Sequence, residues 1–462
     1  TAESTSEAVS TEETAPAAVF HLLGGEMRKA TAEAPLSPLW QDIYGFFDEN
    51  SQWQKHLSLL KQGIGKTAKP ERLSPKTAKA LYGKNIFSSV SRLERFAGCP
   101  FSFFAEYGLK AEERRLYQLN TPDLGSLFHE VLELFSNKLE QDSLPWTSLT
   151  KEETTARIHA AVEDAAPRLG NRILLDSAAN QYLIRRLKRI STRAAWTLVQ
   201  HLQQGDFVPA GYEVGFGAHE ALPPIVIRLQ DGGSLILNGK IDRVDLLDAN
   251  GTRYVKIIDY KSGNKTFHFQ DIYYGLQLQL LVYLDAYLKY YKKTGASFKP
   301  GGVFYFRITD PTLALDEELS AEAIEKILYE KMRMSGLLLQ EDVLIHSLDH
   351  SLAESRSSAI VPVGYTKKGD PTAASNLATE EQYAAILDFV ATRTQEIGDA
   401  MRAGIITPAP YRDGQRTPCS YCSYRSLCRH SYGEAPRWRK LKKIDKADFW
   451  ETITPKQPPE TE

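Results

Sequence analysis

The chain has only four cysteines in 462 residues and no long apolar run. Without a stretch of about eighteen apolar residues it offers no membrane-spanning helix, and it shows no secretory signal peptide. The formal net charge is only −2, so overall charge gives no attraction to nucleic acid. We predict a soluble, cytoplasmic protein whose sparse cysteines hold a metal or a cluster rather than disulfides.

The four cysteines are distributed unevenly. Cys99 stands alone, whereas Cys419, Cys422 and Cys428 share one short segment. Four thiolates are the usual ligands of an iron–sulfur cluster or a structural zinc ion, and the spacing leaves both open. One distant ligand is unlike the two short pairs of a zinc finger. A cross-link that closes residues 100–418 into a loop would stabilise the fold by roughly 5–6 kcal/mol at most.

Composition divides the chain into four regions. Residues 1–16 are polar and acidic, which predicts disorder. Residues 17–84 combine helical apolar patterns over 17–65 with a linker that contains lysine and proline at 66–85. Residues 85–432 form the main domain, and residues 433–462 form a basic and polar tail. Because the first residue is Thr1, we expect residues 17–84 to be the remnant of a longer upstream region.

The main domain is predicted to be a mixed α/β unit. Helices are expected at Ser91–Phe96, Leu124–Lys138, 151–204 and 270–292, and further helices at 316–403. Strands are expected at Tyr212–Gly217, Ile225–Leu229, Ser234–Leu247, Arg253–Tyr260 and Gly302–Arg307.

Two neighbouring predicted strands carry the most suggestive charges. Asp242 lies on one strand, and Asp259 and Lys261 end the next. Alternation along a strand places Asp259 and Lys261 on one face and Tyr260 on the other. Carboxylates in such a group suit Mg²⁺, and a lysine can orient water or offset charge on a phosphate. The structural alternative is a set of ordinary salt bridges at the edge of a sheet.

Four spaced motifs resemble the RecB-type branch of the PD-(D/E)xK nucleases. They are Gly125-x3-His129, Gly239-x-x-Asp242, Asp259-x-Lys261 and Gln279-x3-Tyr283. Residues 88–110 and 407–430 are similar to the iron–sulfur clasp found in some members. The segment 91–101 is most similar to the nuclease domain of AddB-type subunits of bacterial AddAB helicase–nucleases. The resemblance covers residues 85–432.

The resemblance implies a fold and a set of roles. The fold would be a mixed central sheet flanked by helices, with added helical regions and a four-cysteine clasp joining its ends. His129, Asp242, Asp259 and the carbonyl of Tyr260 would bind the metal ion, and Lys261 would be the catalytic lysine. Gln279 and Tyr283 would support the active site. Glu213 matches a frequent acidic position, with a solvated strand residue as the alternative.

The resemblance also implies cofactors and partners. Cys99, Cys419, Cys422 and Cys428 would hold a [4Fe–4S] cluster, and Mg²⁺ or Mn²⁺ would serve the active site. The expected activity is exonucleolytic cleavage of DNA single strands supplied by an AddA-type helicase–nuclease partner during double-strand-break repair. Residues 17–84 would then come from a helicase-like region.

Several alternatives remain open on the sequence. One is a stand-alone iron–sulfur nuclease of the CRISPR-adaptation type, and another is a catalytically silent DNA-binding scaffold. The run Gly63–Thr67 is not a phosphate loop, because Leu60 occupies the position of the required glycine. The basic runs Arg185–Arg193 and Arg437–Lys446 could bind phosphates or could be solvated helix faces.

Overall fold

The computed structural model describes residues 16–30, 35–64, 72–112, 121–167, 178–313, 319–428, 430 and 438–454. The disorder expected at residues 1–16 therefore falls almost wholly outside the described residues, as do residues 433–437 and 455–462 of the tail. Two ranges inside the chain that also lie outside them are 168–177 and 314–318.

Helices dominate the first part of the described residues, and five consecutive strands, β2 to β6, precede a second mixed part. The helices are α1 (Pro16–Lys29), α2 (Pro38–Glu49), α3 (Gln54–Ile64), α4 (Pro75–Tyr82), α5 (Val90–Gly98), α6 (Pro100–Phe103), α7 (Thr121–Gln141), α8 (Lys151–Ala165), α9 (Ala178–Gln203), α10 (Phe269–Tyr273), α11 (Gln279–Lys293), α12 (Ala321–Lys331), α13 (Asp342–Leu348), α14 (Glu380–Arg402), α15 (Arg425–Cys428) and α16 (Lys446–Ile453). The strands are β1 (Asn85–Ser88), β2 (Val208–Phe216), β3 (Ile225–Arg228), β4 (Ser234–Leu237), β5 (Gly239–Ala249), β6 (Thr252–Lys261), β7 (Lys299–Arg307), β8 (Ser335–Leu339), β9 (Leu377–Ala378), β10 (Tyr411–Arg412) and β11 (Arg439–Lys440).

The chain divides into two compact units. The cysteine unit comprises Thr1–Pro75, Cys99–Ala111 and Ala403–Leu441. The sheet unit comprises Lys76–Gly98, Glu112–Arg402 and Lys442–Glu462. All four cysteines belong to the first unit, and every predicted active-site residue belongs to the second.

A six-stranded mixed sheet organises the sheet unit. Its strand order is β2-β5-β6-β7-β8-β9. The β2/β5, β5/β6 and β7/β8 pairs are antiparallel, whereas β6/β7 and β8/β9 are parallel. β6 is buried without interruption from Tyr254 to Tyr260, as expected for a central strand that is covered on both faces. The predicted mixed α/β architecture is confirmed.

Helices cover both faces of this sheet. Tyr260 and Phe306 are partners in the β6/β7 register, and their rings contact His129 of α7 and His201 of α9. Alternation turns Asp259 to the opposite face, where Gln279 of α11 donates a hydrogen bond to it. α7 and α9 therefore serve one face and α11 the other, so the active-site residues converge from both sides at the end of β6.

Two predicted elements are each divided. The single helix expected over 270–292 is α10 and α11, because Gly275 takes a left-handed φ of +73° that ends α10. The strand expected over Ser234–Leu247 is β4 and β5, and they separate at Asn238, whose N–H still donates to Ser88 of β1, before the chain enters the six-stranded sheet at Gly239. β4 pairs with β1 and β3 in a small separate sheet.

The predicted linker at 66–85 is wrong over its second half. α4 occupies Pro75–Tyr82, and β1 begins at Asn85 and pairs in parallel with β4. Proline at the first position of α4 suits a helix start, because that residue needs no hydrogen-bond donor there. The apolar side chains of β1 are buried at Ile86, so this segment belongs to the sheet unit.

Three helices form the N-terminal part of the cysteine unit. α1, α2 and α3 bury Leu23, Phe47 and Leu57 against one another, with Phe20 and Trp53 packed alongside. The helical pattern predicted for residues 17–65 is thus confirmed where the structure describes it. Gly63 is part of α3, and residues 65–67 of the rejected phosphate-loop pattern lie outside the described residues.

Candidate active site

Asp242 is held by the backbone at the point where β5 and β6 diverge. The paired register of the two strands begins at Arg243 and Ile258. Just beyond it, the N–H of Tyr260 donates to Asp242 Oδ2 at 2.6 Å. A side-chain carboxylate thus takes the place of a main-chain acceptor, which fixes its orientation. Asp242 is 8% exposed, so this carboxylate works in a largely dry site.

Glu213 lies opposite Asp242 on β2. Tyr212 pairs with Arg243 and Val214 with Ile241, which places Glu213 directly across from Asp242. Its φ is +47°, a left-handed conformation that is uncommon for residues other than glycine and that is often found at functional sites. This carboxylate therefore sits on a strained backbone beside a second carboxylate.

His129 completes a group of three metal-capable side chains. Its Nδ1 lies 3.4 Å from Asp242 Oδ2 and 3.9 Å from Glu213 Oε1. One donor atom from each of the three residues falls within 4.8 Å of the others. α7 approaches the end of β6 closely at Gly125, where a Cβ would lie 3.1 Å from the hydroxyl of Ser262. Glycine at this position therefore lets the helix deliver His129.

The charges in this group call for a cation. Burial opposes protonation of His129, but hydrogen bonds to Asp242 and Glu213 outweigh it and raise the pKa of His129 to about 10. The imidazolium thus holds a positive charge between two carboxylates. An imidazole nitrogen and two carboxylates form a donor set that suits a divalent ion, which would replace that proton. The residues present therefore fit the metal that the motifs imply.

Asp259 and Lys261 form an ion pair on β6 beside this group. Burial, together with repulsion from Asp242, raises the pKa of Asp259 to about 7. Burial disfavours the charged form of Lys261, but Asp259 and Asp242 outweigh it and raise the pKa of this lysine. Asp259 is engaged by Lys261 and Gln279 and lies beside the three-residue group.

The two predicted support residues project from α11. Gln279 Nε2 donates to Asp259 Oδ1 at 2.6 Å. Tyr283, one turn later, hydrogen-bonds the backbone of Lys240 and packs its ring 5.5 Å from that of Phe216. A Cβ at position 239 would overlap the Tyr283 hydroxyl. The tyrosine of the Gln279-x3-Tyr283 motif therefore needs glycine at position 239, because any side chain there would occupy its space.

Glu94 of α5 is a contributor that sequence reasoning missed. Its Oε1 accepts the N–H groups of Leu278 at 2.8 Å and Gln279 at 3.1 Å, and its Oε2 binds Lys265 at 3.2 Å. It thus satisfies free donors at the start of α11, where a negative charge is favourable. The only signal in the sequence was its place in the Ser91–Phe101 segment, which carried no role.

A buried charge network behind the site was also missed. Arg243 binds Asp245 through two hydrogen bonds of 2.6 and 3.0 Å, and Lys256 binds the same carboxylate at 2.9 Å. The Trp146 ring lies 4.8 Å from the Arg243 guanidinium. Alternation puts these side chains on the face opposite Asp259. Charged residues two apart within apolar strands were the available signal for such a network.

An open cavity of about 730 Å³ adjoins His129 and Glu213. α7 supplies most of its wall, and Ser262 closes the side next to β6. Burial first, and Glu213 second, raise the pKa of Glu133 in this cavity. The space is wide enough for a nucleotide to reach the three-residue group from solvent.

The four cysteines line a single cavity in the cysteine unit. Cys99 is buried, the others are half-buried, and none forms a disulfide. Burial raises the pKa of the Cys99 thiol, and burial together with repulsion from Cys422 and Cys428 raises that of Cys419. Four thiolates this close are therefore unfavourable without positive charge among them, so the donor set fits a cluster or metal ion.

Comparison with known proteins agrees with the site geometry. Residues 88–429 match the family model described as the PD-(D/E)XK nuclease superfamily. The chain belongs to the PD-(D/E)XK nuclease superfamily. Residues 13–63 match a second model, the fifth domain of the ATP-dependent helicase/deoxyribonuclease AddB. The predicted nuclease fold is confirmed.

Curated relatives are named as the B-type subunit of an ATP-dependent helicase/deoxyribonuclease. That of Alkaliphilus oremlandii (strain OhILAs) is 40% identical over 443 residues, which are 95% of this chain and 38% of the relative. That of Alkaliphilus metalliredigens (strain QYMF) is 41% identical over 417 residues, or 90% of this chain and 36% of the relative. The chain thus spans little more than a third of these relatives, and its predicted resemblance to AddB-type subunits is confirmed.

The helices of the described residues were also compared with the requirements for crossing a bilayer. None of them combines the length and the apolar character that a transmembrane helix needs.

Proposed function

We propose that the chain is the nuclease portion of an AddB-type subunit and hydrolyses DNA phosphodiester bonds with a divalent metal ion. The observation that carries the proposal is the convergence of His129, Glu213 and Asp242 beside the Asp259–Lys261 ion pair. A hard ion such as Mg²⁺ or Mn²⁺ would be held by His129, Asp242, Asp259 and the carbonyl of Tyr260, with Glu213 as a further ligand.

The metal ion would supply charge neutralisation at the phosphate and a more acidic water. The chain's own residues then do the positioning. Asp242 is fixed by the Tyr260 N–H and Asp259 by the Gln279 amide, so both carboxylates are oriented in advance. A water oxygen attacks phosphorus and gives up one proton to the surrounding water, the bond to the leaving oxygen breaks, and that oxygen takes up a proton in return. The Lys261 ammonium stabilises the negative charge that develops on the phosphate.

The name of the relatives supports a proposal about substrate and partner. Their name couples a helicase to a deoxyribonuclease. We infer that this nuclease acts as an exonuclease on single strands delivered by an AddA-type helicase–nuclease subunit, in the cytoplasm, during the repair of double-strand breaks. The matched segment 13–63 would belong to the region that joins it to the rest of such a subunit.

The cysteine cavity is assigned to a [4Fe–4S] cluster with a structural role. Cys99, Cys419, Cys422 and Cys428 line one space, which supports a single four-ligand group. The segments that bear them come before and after the nuclease core in sequence. A cluster would therefore clasp residues 99–111 to residues 403–441 within the cysteine unit.

Cleavage and metal binding can be tested together. Purified chain should degrade linear single-stranded DNA with Mg²⁺ or Mn²⁺ and spare a circular single strand. Asp242→Asn and Asp259→Asn should each lower the cleavage rate by about 10²-fold or more. Asp248→Asn is the matched control, because Asp248 is an exposed carboxylate on the same strand as Asp242.

Binding of Mn²⁺ can be measured as the loss of the electron paramagnetic resonance signal of the free ion. It should be weaker in Asp242→Asn than in wild type and unchanged in Asp248→Asn. Equal cleavage by wild type and Asp259→Asn would contradict the enzymatic role. Cleavage of the circular strand would contradict the exonuclease assignment.

A further inference from the structure

A second cavity of the sheet unit, about 430 Å³ in volume, lies among α8, α9 and α12. Its lining contains five basic side chains and, among the described residues, a single carboxylate, that of Glu325. The five basic residues are Lys151, Arg185, Lys188, Arg189 and Arg193. The lining therefore has a local excess of positive charge in a chain whose net charge is close to zero.

The wall between these charges is aromatic and apolar. Trp196 is half-buried on α9, and Leu328 and Met332 are buried where α12 ends. Met332 is tied to α9 by a contact of 3.4 Å between its sulfur and the Thr197 hydroxyl. A basic rim around an aromatic wall is the combination that binds phosphates and stacks bases of single-stranded nucleic acid.

Three of the five basic side chains form ion pairs with carboxylates that do not line the cavity. Arg189 and Arg193 bind Asp310 at 2.7 and 3.3 Å, and Lys188 binds Glu163 at 2.6 Å. Arg189 is 62% exposed in its pair. A pair with so exposed a member contributes only about 0–1 kcal/mol, so a phosphate can compete with Asp310 for the Arg189 guanidinium.

The sheet topology places this cavity on the active-site side of the strands. β7 runs parallel to β6, with Arg307 in register with Lys261. The carboxyl ends of the two strands therefore meet at one edge of the sheet. Asp310 follows β7 by three residues and binds the α9 arginines. The basic segment of α9 is thus anchored beyond the same edge that carries Asp259 and Lys261.

We propose that this cavity binds a nucleotide of the single-stranded DNA substrate, with its phosphates on the Arg185–Arg193 segment and a base against Trp196. The strand would extend from the active site across the ends of β6 and β7 to α9. This inference rests on the proposed nuclease function, because it names a binding site for the same substrate.

Binding without cleavage separates the two proposals. Fluorescein-labelled oligothymidylate of 30 nucleotides is titrated with the full chain in EDTA, and anisotropy is measured over a series of NaCl concentrations. The double variant Arg185→Gln/Arg189→Gln should bind several-fold more weakly. Its dependence of log K on log salt should be shallower by about 0.7 for each phosphate that the variant no longer neutralises.

Lys289→Gln/Lys292→Gln removes the same charge from the exposed face of α11 and is the matched control. It should bind as wild type does. Equal weakening in the two double variants would overturn the proposal, because the effect would then reflect net charge alone. An unchanged salt slope in the Arg185/Arg189 variant would overturn it as well.

Photocrosslinking tests the stacking contact in the unaltered chain. Oligothymidylate carrying 5-iododeoxyuridine should crosslink to a peptide that contains Trp196. Crosslinks that map only to other segments would contradict the base-binding role. Neither measurement depends on cleavage. DNA binding in this cavity can therefore be confirmed even if the chain proves inactive, and it can be refuted even if the chain is an active nuclease.

Discussion

Glu94 influences the active site from one step away. Its carboxylate accepts two N–H groups at the start of α11, and Gln279 of that helix donates to Asp259. The residue binds no metal ligand itself, so it is a positioning residue. Its effect passes through the orientation of the Gln279 amide, which depends on where α11 begins.

Replacing Glu94 should therefore slow the chemical step more than it weakens substrate binding. We expect Glu94→Ala to lower kcat on the order of tenfold to a hundredfold, because hydrogen bonds to a charged group contribute about 1.5–3 kcal/mol. KM should change little. Steady-state cleavage of single-stranded DNA measures both constants.

Two further variants make that test specific. Glu94→Gln keeps an acceptor oxygen and should retain an intermediate kcat. Glu140→Ala removes an exposed carboxylate from α7 and should behave as wild type does. A rise in KM at constant kcat would show that Glu94 serves binding rather than positioning.

His201 gives the fold a dependence on pH. It is buried, and neither ring nitrogen has a hydrogen-bond partner among the described residues. Burial first, and then Lys256 and Arg243, lower the pKa of His201 to about 3. Above about pH 6.5 the ring is neutral in both folded and unfolded chains. Between pH 6.5 and 3 only the unfolded chain gains this proton, so stability falls as the pH falls.

His201→Leu should accordingly flatten the acid side of the stability profile. Urea unfolding between pH 5 and pH 8 would show the free energy of unfolding falling less steeply below about pH 6.5 in the variant than in the wild type. His219→Gln replaces an exposed histidine and should leave the profile unchanged. Parallel profiles for His201→Leu and wild type would exclude His201 as the source of the acid sensitivity.

At the scale of elements, two motifs that are distant in sequence share one space. β5 begins with glycine at position 239 because Tyr283 of α11 occupies the volume that a Cβ would fill. α11 can therefore approach β5 only while position 239 has no side chain. The approach carries Gln279 to Asp259 at the same time.

Gly239→Ala should destabilise the sheet unit by about 1–3 kcal/mol, since it overpacks a well-filled contact. A Cβ there would lie 2.8 Å from Tyr283 Cζ as well as overlapping the hydroxyl. The double variant Gly239→Ala/Tyr283→Leu should lose less free energy of unfolding than the two single variants lose together. Thermal or urea unfolding of the four proteins measures the coupling.

Gly263→Ala is the control for that series, because a Cβ at position 263 would meet nothing within 4 Å. Its free energy of unfolding should stay within about 0.5 kcal/mol of the wild-type value. Strict additivity of Gly239→Ala and Tyr283→Leu would contradict the shared-space explanation.

The sequence predicted those parts of the site that depend on local pattern. Strand alternation and motif spacing singled out Asp242, Asp259 and Lys261 as candidates, and the structure brings them close to one another and to His129. Glu94 was out of reach because its partners lie far along the chain. The break between α10 and α11 was missed because a glycine within an apolar helical pattern does not reveal a left-handed φ. The raised pKa of Asp259 depends on burial, which no local pattern supplies.

At the scale of the whole molecule, the two units are built from different segments of the chain. The cysteine unit is assembled from three segments that lie far apart in sequence, and its four thiols line one cavity. A cluster there would tie residues 99–111 to residues 403–441 inside that unit. The sheet unit contains the six-stranded sheet and none of the cysteines.

Cys99→Ser should therefore lose the cluster. We expect anaerobically purified wild type to contain iron and sulfide and to absorb in the visible range, and Cys99→Ser to lack all three. Limited proteolysis should then cut the variant faster within residues 403–441. Ser420→Ala, an exposed change between two of the cysteines, should keep the colour. A colourless wild type with stoichiometric zinc would overturn the cluster assignment.

The left-handed backbone at Glu213 costs stability, whereas the Glu213 carboxylate serves the proposed metal site. Glycine adopts this conformation without the penalty of about 1–2 kcal/mol that other residues incur, yet glycine would leave Asp242 and His129 without their carboxylate neighbour. A selection for thermal stability alone would therefore favour Glu213→Gly. The resulting protein would unfold at a higher temperature and bind the metal ion more weakly. Position 213 is one at which improving the enzyme's durability and preserving its activity require opposite changes.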